Sequence, residues 1–545
     1  MSVPAALGRR RHRTWHRFIA WRAVACLVLV LSAWQPSPPA RAASLPVLQW
    51  ADEGISDLAT LDPAAIGDWN GHLAASFIFE GLVRQAPDLT VTAAAADHWS
   101  VSKDQRSYTF WLRPGLRFGD GTPVTPADVV YSLDRALSPA FSNTANPYVL
   151  GVIQGAQARS TGRSSTLSGV QAVGSNAVRI TLSAPSGSFL ARLGLAAAAI
   201  VPRHSIQQLG SRWTEHAFGT GPFIVQSWQH GSALHLVPNP YYYGPHPRVA
   251  ISLDFVPEPT TAFKLFQMGM LDVMGEVTFP ADQVYRAQGD PQFHRSPRLA
   301  TTYLMLNTRT APLSDRRVRQ ALAYALDKPP LVATVFGSLA QPTDGMLPPG
   351  IPGYDPHLAG LGYDPALARK LLANAGYQGG RSFPSLVFSA DEGTQNLQLA
   401  SAVVQQWNAV LGINARIVQM DHTTYIQRLT SLAFQVAPVA WTMDWPDPQN
   451  FLTQLLHTGS LNNNGGWSNK QFDSLVDCAD RLVGDTPQRL ALYQQAQTIA
   501  MQDAATIPIA NPQSGIMIRA GVTGLEVSGG IVVVPDWSKV SVGAF

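Results

Sequence analysis

The chain has 545 residues, with 39 basic and 36 acidic side chains, two cysteines and a hydrophobic fraction of 46%. That length suits two to four globular domains, and the charged fraction of 14% lies well below the usual quarter. Residues 1–42 hold seven arginines and no acidic residue, so the rest of the chain has 32 basic against 36 acidic groups and a net charge of about −4. The charge balance therefore gives no argument for nucleic-acid binding.

In chain order, the first 42 residues read as an export signal. Arg9, Arg10, Arg11, Arg13, Arg17 and Arg22 precede an apolar run at 23–34. Pro36, Pro38 and Pro39 follow, and then the small-residue site Ala40-Arg41-Ala42. Basic region, short apolar region and A-x-A site, in that order, describe a secretory signal peptide. A membrane-spanning helix needs roughly 20 apolar residues, more than this run offers. Cleavage is expected after Ala42. Cys26 stands near the start of the apolar run, whereas a lipid-modified cysteine follows such a run. The residues after Arg9-Arg10-Arg11 fit a twin-arginine signal poorly. The one cysteine left, Cys478, allows no internal disulfide, and a core of this size needs none.

Beyond the leader, strands and helices alternate irregularly. Residues 108–113 read as a strand ended by Pro114-Gly115. Strands are also expected at 178–182, 233–237 and 302–306. Val318, Ala321, Leu322, Ala325 and Leu326 share one helical face, with Ser314 as the expected cap and Pro329-Pro330 as the stop. Asp364-Pro365 places a cap and a first-turn proline before the face Leu367, Ala368, Leu371, Leu372 and Ala375. A third helix runs from about Leu399 to Gly412, and a fourth from Thr486-Pro487 to about Ala505. The pattern is mixed α/β, without the regular rhythm of a barrel.

Enzyme signatures are missing. The sequence has no H-E-x-x-H, paired C-x-x-C, G-x-S-x-G or phosphate-binding loop, each of which carries a defined chemistry. His230 and His235 lack the spacing of a helical metal pair. Asp444 and Asp447 are suited to acid/base work only if they converge in a cleft.

Five ordered segments carry a resemblance. They are Leu61-Asp62-Pro63 with Ile78-Phe79-Glu80-Gly81-Leu82; the run from Leu112 to Leu133, centred on Phe118-Gly119-Asp120-Gly121-Thr122-Pro123-Val124-Thr125-Pro126-Ala127-Asp128-Val129-Val130; Gly219-Thr220-Gly221-Pro222-Phe223 with Asn239-Pro240-Tyr241-Tyr242; Leu306-Asn307 with Asp315 through Asp327; and Trp441-Thr442-Met443-Asp444-Trp445-Pro446-Asp447-Pro448 with Phe451. Together they resemble the extracytoplasmic solute-binding proteins that include the dipeptide- and oligopeptide-binding proteins of ABC importers. Locally, several of these segments are also turns: Gly119 to Pro123 is one, and Thr125 or Pro126 starts a helix burying Val129, Val130 and Leu133.

The resemblance implies an α/β, two-lobed periplasmic-binding-protein fold with a hinge and an extra third domain. Carried over, lobe I takes 43–82, 198–310 and 511–545, the extra domain 83–197, and lobe II 311–510, with hinge crossings near 308–313 and 510–514. It implies a monomeric periplasmic protein, without cofactor or nucleic acid, that hands a small peptide or similar solute to an inner-membrane permease and its ATPase. Opines, sugars and metal chelates are alternative solutes on this fold, and an enzyme or chaperone is the alternative class. Peptides in this family lie like an added strand, which here falls on Ala440, Trp441 and Thr442. Asp444 matches the carboxylate that receives the ligand ammonium. Pro438 stands where oligopeptide binders often carry an arginine for the ligand carboxylate, and Arg428 is the nearest substitute. Trp69 and Tyr148 lie in segments that border the cleft. Packing alone is the competing role for Trp441 and Trp445, and turn-capping for Asp444.

Overall fold

The computed structural model describes residues 45–543; the expected export signal and its cleavage site lie outside them. Two groups of strands meet along the thirteen-residue strand Thr506–Ile518. Its first part pairs antiparallel with Ala300–Leu306, from Met305 opposite Thr506 to Thr302 opposite Ala510. Its second part pairs with Phe293–Pro297, from Pro297 opposite Gln513 to Phe293 opposite Met517. The first group continues through Val436–Thr442, Leu386–Asp391 and Ala415–Met420. The second continues through Val273–Met274, Val47–Glu53, Ala250–Val256, Ala233–Pro238 and Phe223–Gln229. A separate four-stranded sheet joins Ala96–Val101, Ser107–Leu112, Ala177–Thr181 and Val170–Val173.

Each strand group and the small sheet has its own apolar core. Leu48, Trp50, Phe77, Phe223, Leu253 and Ile516 belong to one, Tyr108, Phe110, Leu133 and Ile180 to the second, and Leu304, Leu322, Phe388 and Trp407 to the third. The chain passes between the two strand groups at residues 298–299 and again at 512–513. The second crossing falls inside the expected 510–514. The first comes before the expected 308–313, because Ala300–Leu306 is buried along its whole length and paired on both edges. A strand so held cannot serve as a joint.

Local chemistry explains the elements. Helix Pro126–Ala136 starts after Thr125, whose backbone N–H donates to Asp128 at 2.9 Å. Helix Arg316–Tyr324 is capped by Asp315, which accepts from the Arg317 N–H at 2.8 Å. The expected cap was Ser314; the carboxylate one residue later is the stronger acceptor for the orphan N–H groups. Pro329 and Pro330 open the next helix, Lys328–Phe336, since proline is tolerated in a first turn. Asp364, Gly412 and Thr486 cap their helices as expected. At the turn before Phe223–Gln229, a Cβ on Gly219 or Gly221 would lie 2.5 or 2.7 Å from the Ile78 carbonyl oxygen. Those two glycines let the turn lie against the end of helix Trp69–Ile78.

The segment after the small sheet reaches helices Lys470–Arg481 and Pro448–Phe451. The Gly187 N–H donates to the Asp480 carbonyl at 2.8 Å. Ser188 Oγ and Arg192 Nη2 both donate to Gln449 Oε1, at 2.5 and 2.6 Å.

Candidate ligand-binding site

Strand Val436–Thr442 presents one edge to Ala300–Leu306, with Ala440, Trp441 and Thr442 opposite Thr302, Thr301 and Ala300. On its other edge the pairing with Leu386–Asp391 occurs only at Val436. The N–H and C=O groups of Ala440 and Thr442 on that edge are therefore open to an added strand. Ala440 and Thr442 are exposed, and Trp441 is half-buried.

Asp444 follows at the end of this edge. Its carboxylate is reached by solvent and has two side-chain donors. Asn450 Nδ2 donates to Oδ2 at 2.9 Å, and the Tyr148 hydroxyl donates to the same oxygen at 3.3 Å. Asn450 is the fully buried hub of the group. Its Oδ1 accepts from the Trp441 indole N–H at 3.1 Å and from the Asp444 backbone N–H at 3.0 Å. Its Nδ2 also donates to the Tyr148 hydroxyl at 3.2 Å. One amide thus fixes the strand end, the tryptophan and the carboxylate together. Asn450 rides on the short helix Pro448–Phe451, which Asp447 caps.

Trp445 is fully buried, between the Arg192 guanidinium, 3.9 Å from its ring centre, and the Tyr148 ring at 5.0 Å. Its role is packing. Asp447 does not pair with Asp444 for acid/base work, since both its oxygens accept from Arg489 Nη2 at 2.8 Å. Arg428 lies exposed on helix His422–Thr430, and it makes no hydrogen bond or ion pair with the Asp444 group. Trp69 and His72 sit one turn apart on helix Trp69–Ile78, and the charge of Asp444 acts on His72. The Trp69 indole N–H is buried without a partner. A cavity of about 670 Å³ adjoins Asp444, lined by Tyr148, Trp441, Gln454, His457 and Leu461 among others.

Burial raises the Asp444 pKa; the hydrogen bonds from Asn450 and Tyr148 and the charge of Arg192 only partly oppose it. Burial also lowers that of His72, against the pull of Asp68 and Asp444. His72 is thus uncharged near pH 7, while the Asp68 carboxylate caps the same helix. A ligand ammonium would bind the ionised form, so its affinity is expected to be highest between the raised carboxyl pKa and the pKa of the amine, about 8, and to fall as pH drops through the former. The decline should therefore begin above the usual carboxylate range. Calorimetric titration with one amine-bearing peptide from about pH 7 to pH 4, below the titration of the peptide's own amine, checks this, and Asp444→Asn should flatten the profile.

Residues 90–463 match the family model described as bacterial extracellular solute-binding proteins, family 5 Middle. The chain belongs to this family. It is 28% identical over 472 residues to the periplasmic oligopeptide-binding protein OppA of Escherichia coli, covering 83% of this chain and 85% of that one. It is 30% identical over 452 residues to heme-binding protein A of Haemophilus influenzae, covering 77% and 79%. The structure of the Escherichia coli murein tripeptide binding protein MppA superposes with a TM-score of 0.71 at 26% identity, over 91% of this chain and 97% of that one. HbpA2 from Haemophilus parasuis gives 0.80 at 24% identity, over 91% and 100%, and shows the shared fold. The two-lobed α/β architecture is common to the family, and its members are binding proteins.

The family motif around Asp444 was legible in sequence. Asn450, Gln449 and Arg192 were not. Arg192 lies more than 250 positions from Gln449, and nothing in its own neighbourhood marks it. Asn450 had one usable signal, its place in a short helix announced by the cap Asp447 and the first-turn Pro448.

Proposed function

We propose that this chain is the periplasmic receptor of an ABC importer, that it captures di- or oligopeptides with a free amino end, and that it passes them to a membrane permease driven by its ATPase. The observation that carries this reading is the open edge of Val436–Thr442 running into a carboxylate. Main-chain hydrogen bonds along the edge hold any peptide backbone, and Asp444 fixes its end and polarity. Ala440, Trp441 and Thr442 supply the edge. Tyr148 and Asn450 orient Asp444, and Trp69 forms the far wall.

A thermal-shift screen with di- to pentapeptides, run beside a hydrolysis assay on the same peptides, tests the proposal. Stabilisation without cleavage is expected; stabilisation only by sugars, haem or bile acids would replace the peptide, and cleavage would replace the class. Export follows the leader. The periplasmic protein should begin at Ala43 or within a few residues of it, as intact-mass analysis shows, and a mass that includes Met1 to Ala42 would contradict that.

A further inference from the structure

Arg298 occupies the first crossing between the two strand groups. Its backbone N–H donates to the Pro512 carbonyl at 2.9 Å, and the next residue, Leu299, accepts from the Met443 N–H at 2.8 Å. Since Ala300 lies opposite Thr442, Arg298 stands at the same end of the ladder as Asp444. Its stem lies against the turn at Gly530, where an added Cβ would come 2.8 Å from the Arg298 Cγ. The guanidinium itself, half-buried, makes no hydrogen bond or ion pair among the described residues. The nearest acidic influence on it is Glu276.

The surroundings do not supply the missing partner. Glu276 is 2% exposed, with one oxygen accepting from the Val532 N–H at 3.3 Å and the other bonded to nothing. Burial pushes its pKa up to about 8, so at neutral pH it is mostly the uncharged acid. Glu53 and Asp52, both fully buried, each leave one oxygen without a partner, and so does the buried Ser514 hydroxyl. The Trp50 indole turns toward Glu276 without reaching a hydrogen bond. A half-buried guanidinium without a counter-ion costs free energy that a ligand anion recovers.

Resting on the peptide reading above, the geometry points to Arg298 as a second charged contact, taking a carboxylate that the solute carries within one or two residues of the ammonium held by Asp444. Arg298 is contributed from the joint between the strand groups and Asp444 from the Val436–Thr442 side, so a solute with both charges bridges the two. The required chemistry is a carboxylate close to an amine. It has three sources: an acidic side chain at the first position, one at the second, or the α-carboxylate of a γ-linked glutamyl residue.

Calorimetry with Glu-Ala-Ala, Ala-Glu-Ala, γ-Glu-Ala-Ala and the neutral Gln-Ala-Ala decides between them. Wild type should prefer at least one acidic probe to the neutral one by about tenfold or more, and the preferred probe names the source. Arg298→Gln should lose that preference while its affinity for Gln-Ala-Ala stays within about twofold of wild type. An equal preference in both proteins overturns the assignment. If wild type binds none of the four, the peptide reading fails, and urea unfolding of the unliganded proteins then judges Arg298 by itself. An unpaired guanidinium predicts that Arg298→Gln is as stable as wild type or more so. A loss of stability that grows as pH rises through the Glu276 titration would make Arg298 the structural counter-ion of Glu276, and would overturn its assignment to the solute.

Discussion

Replacing Asp444 by Asn should weaken binding of a peptide with a free amino end by about 30-fold or more, because removing one partner of an enclosed charge pair costs roughly 2–5 kcal/mol. The substitution keeps the side-chain size, and the Tyr148 hydroxyl can still donate to the amide oxygen in place of Oδ2. What is lost is the charge that meets the ligand ammonium as the lobes exclude water around it. The effect should be selective. An N-acetylated peptide should bind wild type weakly and lose little more in the variant. Stability of the unliganded protein should fall little, since burial already disfavours the ionised carboxylate. Equal affinity of both proteins for the free peptide, measured by isothermal titration, would leave Asp444 as a residue that merely closes the strand.

The second large effect concerns the support behind the site. Arg489 is fully buried. It donates from Nη2 to both oxygens of Asp447, from Nη1 to Asp485 at 3.0 Å and from Nε to the Ala479 carbonyl at 3.1 Å. Asp447 caps the helix that carries Asn450, and Asp480 lies in the same network through Tyr493. Burial pushes the Asp480 pKa up to about 6. Arg489→Met fills much of the volume but strands the Asp447 carboxylate. The expected loss is about 3–5 kcal/mol, the usual consequence of breaking a buried pair from one side. It should appear as a lower urea midpoint with an unchanged slope. Arg489→Met combined with Asp447→Asn should recover part of that loss, because the stranded charge is then gone. A single variant as stable as wild type would show that the network does not hold the helix.

Much of this was readable from residues close together in the chain. The run from Leu112 to Leu133 encodes its turn and helix locally, through Gly121 at φ 86° and the bond between Thr125 and Asp128. Asp364, Thr486 and Gly412 announce helix ends because capping is a short-range interaction. Asp444 stood out as a charge next to an apolar strand. The remainder depended on contacts between distant segments. Trp441 and Trp445 are equivalent in sequence, yet only the neighbours Asn450, Arg192 and Tyr148 make one a wall residue and the other a packed one. Arg428 looked suitable by proximity in sequence; its helix turns Tyr425 and Leu429 inward and leaves Arg428 exposed. Arg298 sits in a two-residue connection with no motif, and its position opposite Asp444 follows only from strand register.

The central claim is that a peptide lies between the two lobes, bound to both. Small-angle scattering with and without a saturating peptide identified by calorimetry tests it most directly. A ligand that touches both lobes favours the closed state over the open one, so the radius of gyration should fall on saturation, and Asp444→Asn at the same peptide concentration should remain near the unliganded value. An unchanged radius at full saturation would contradict the account.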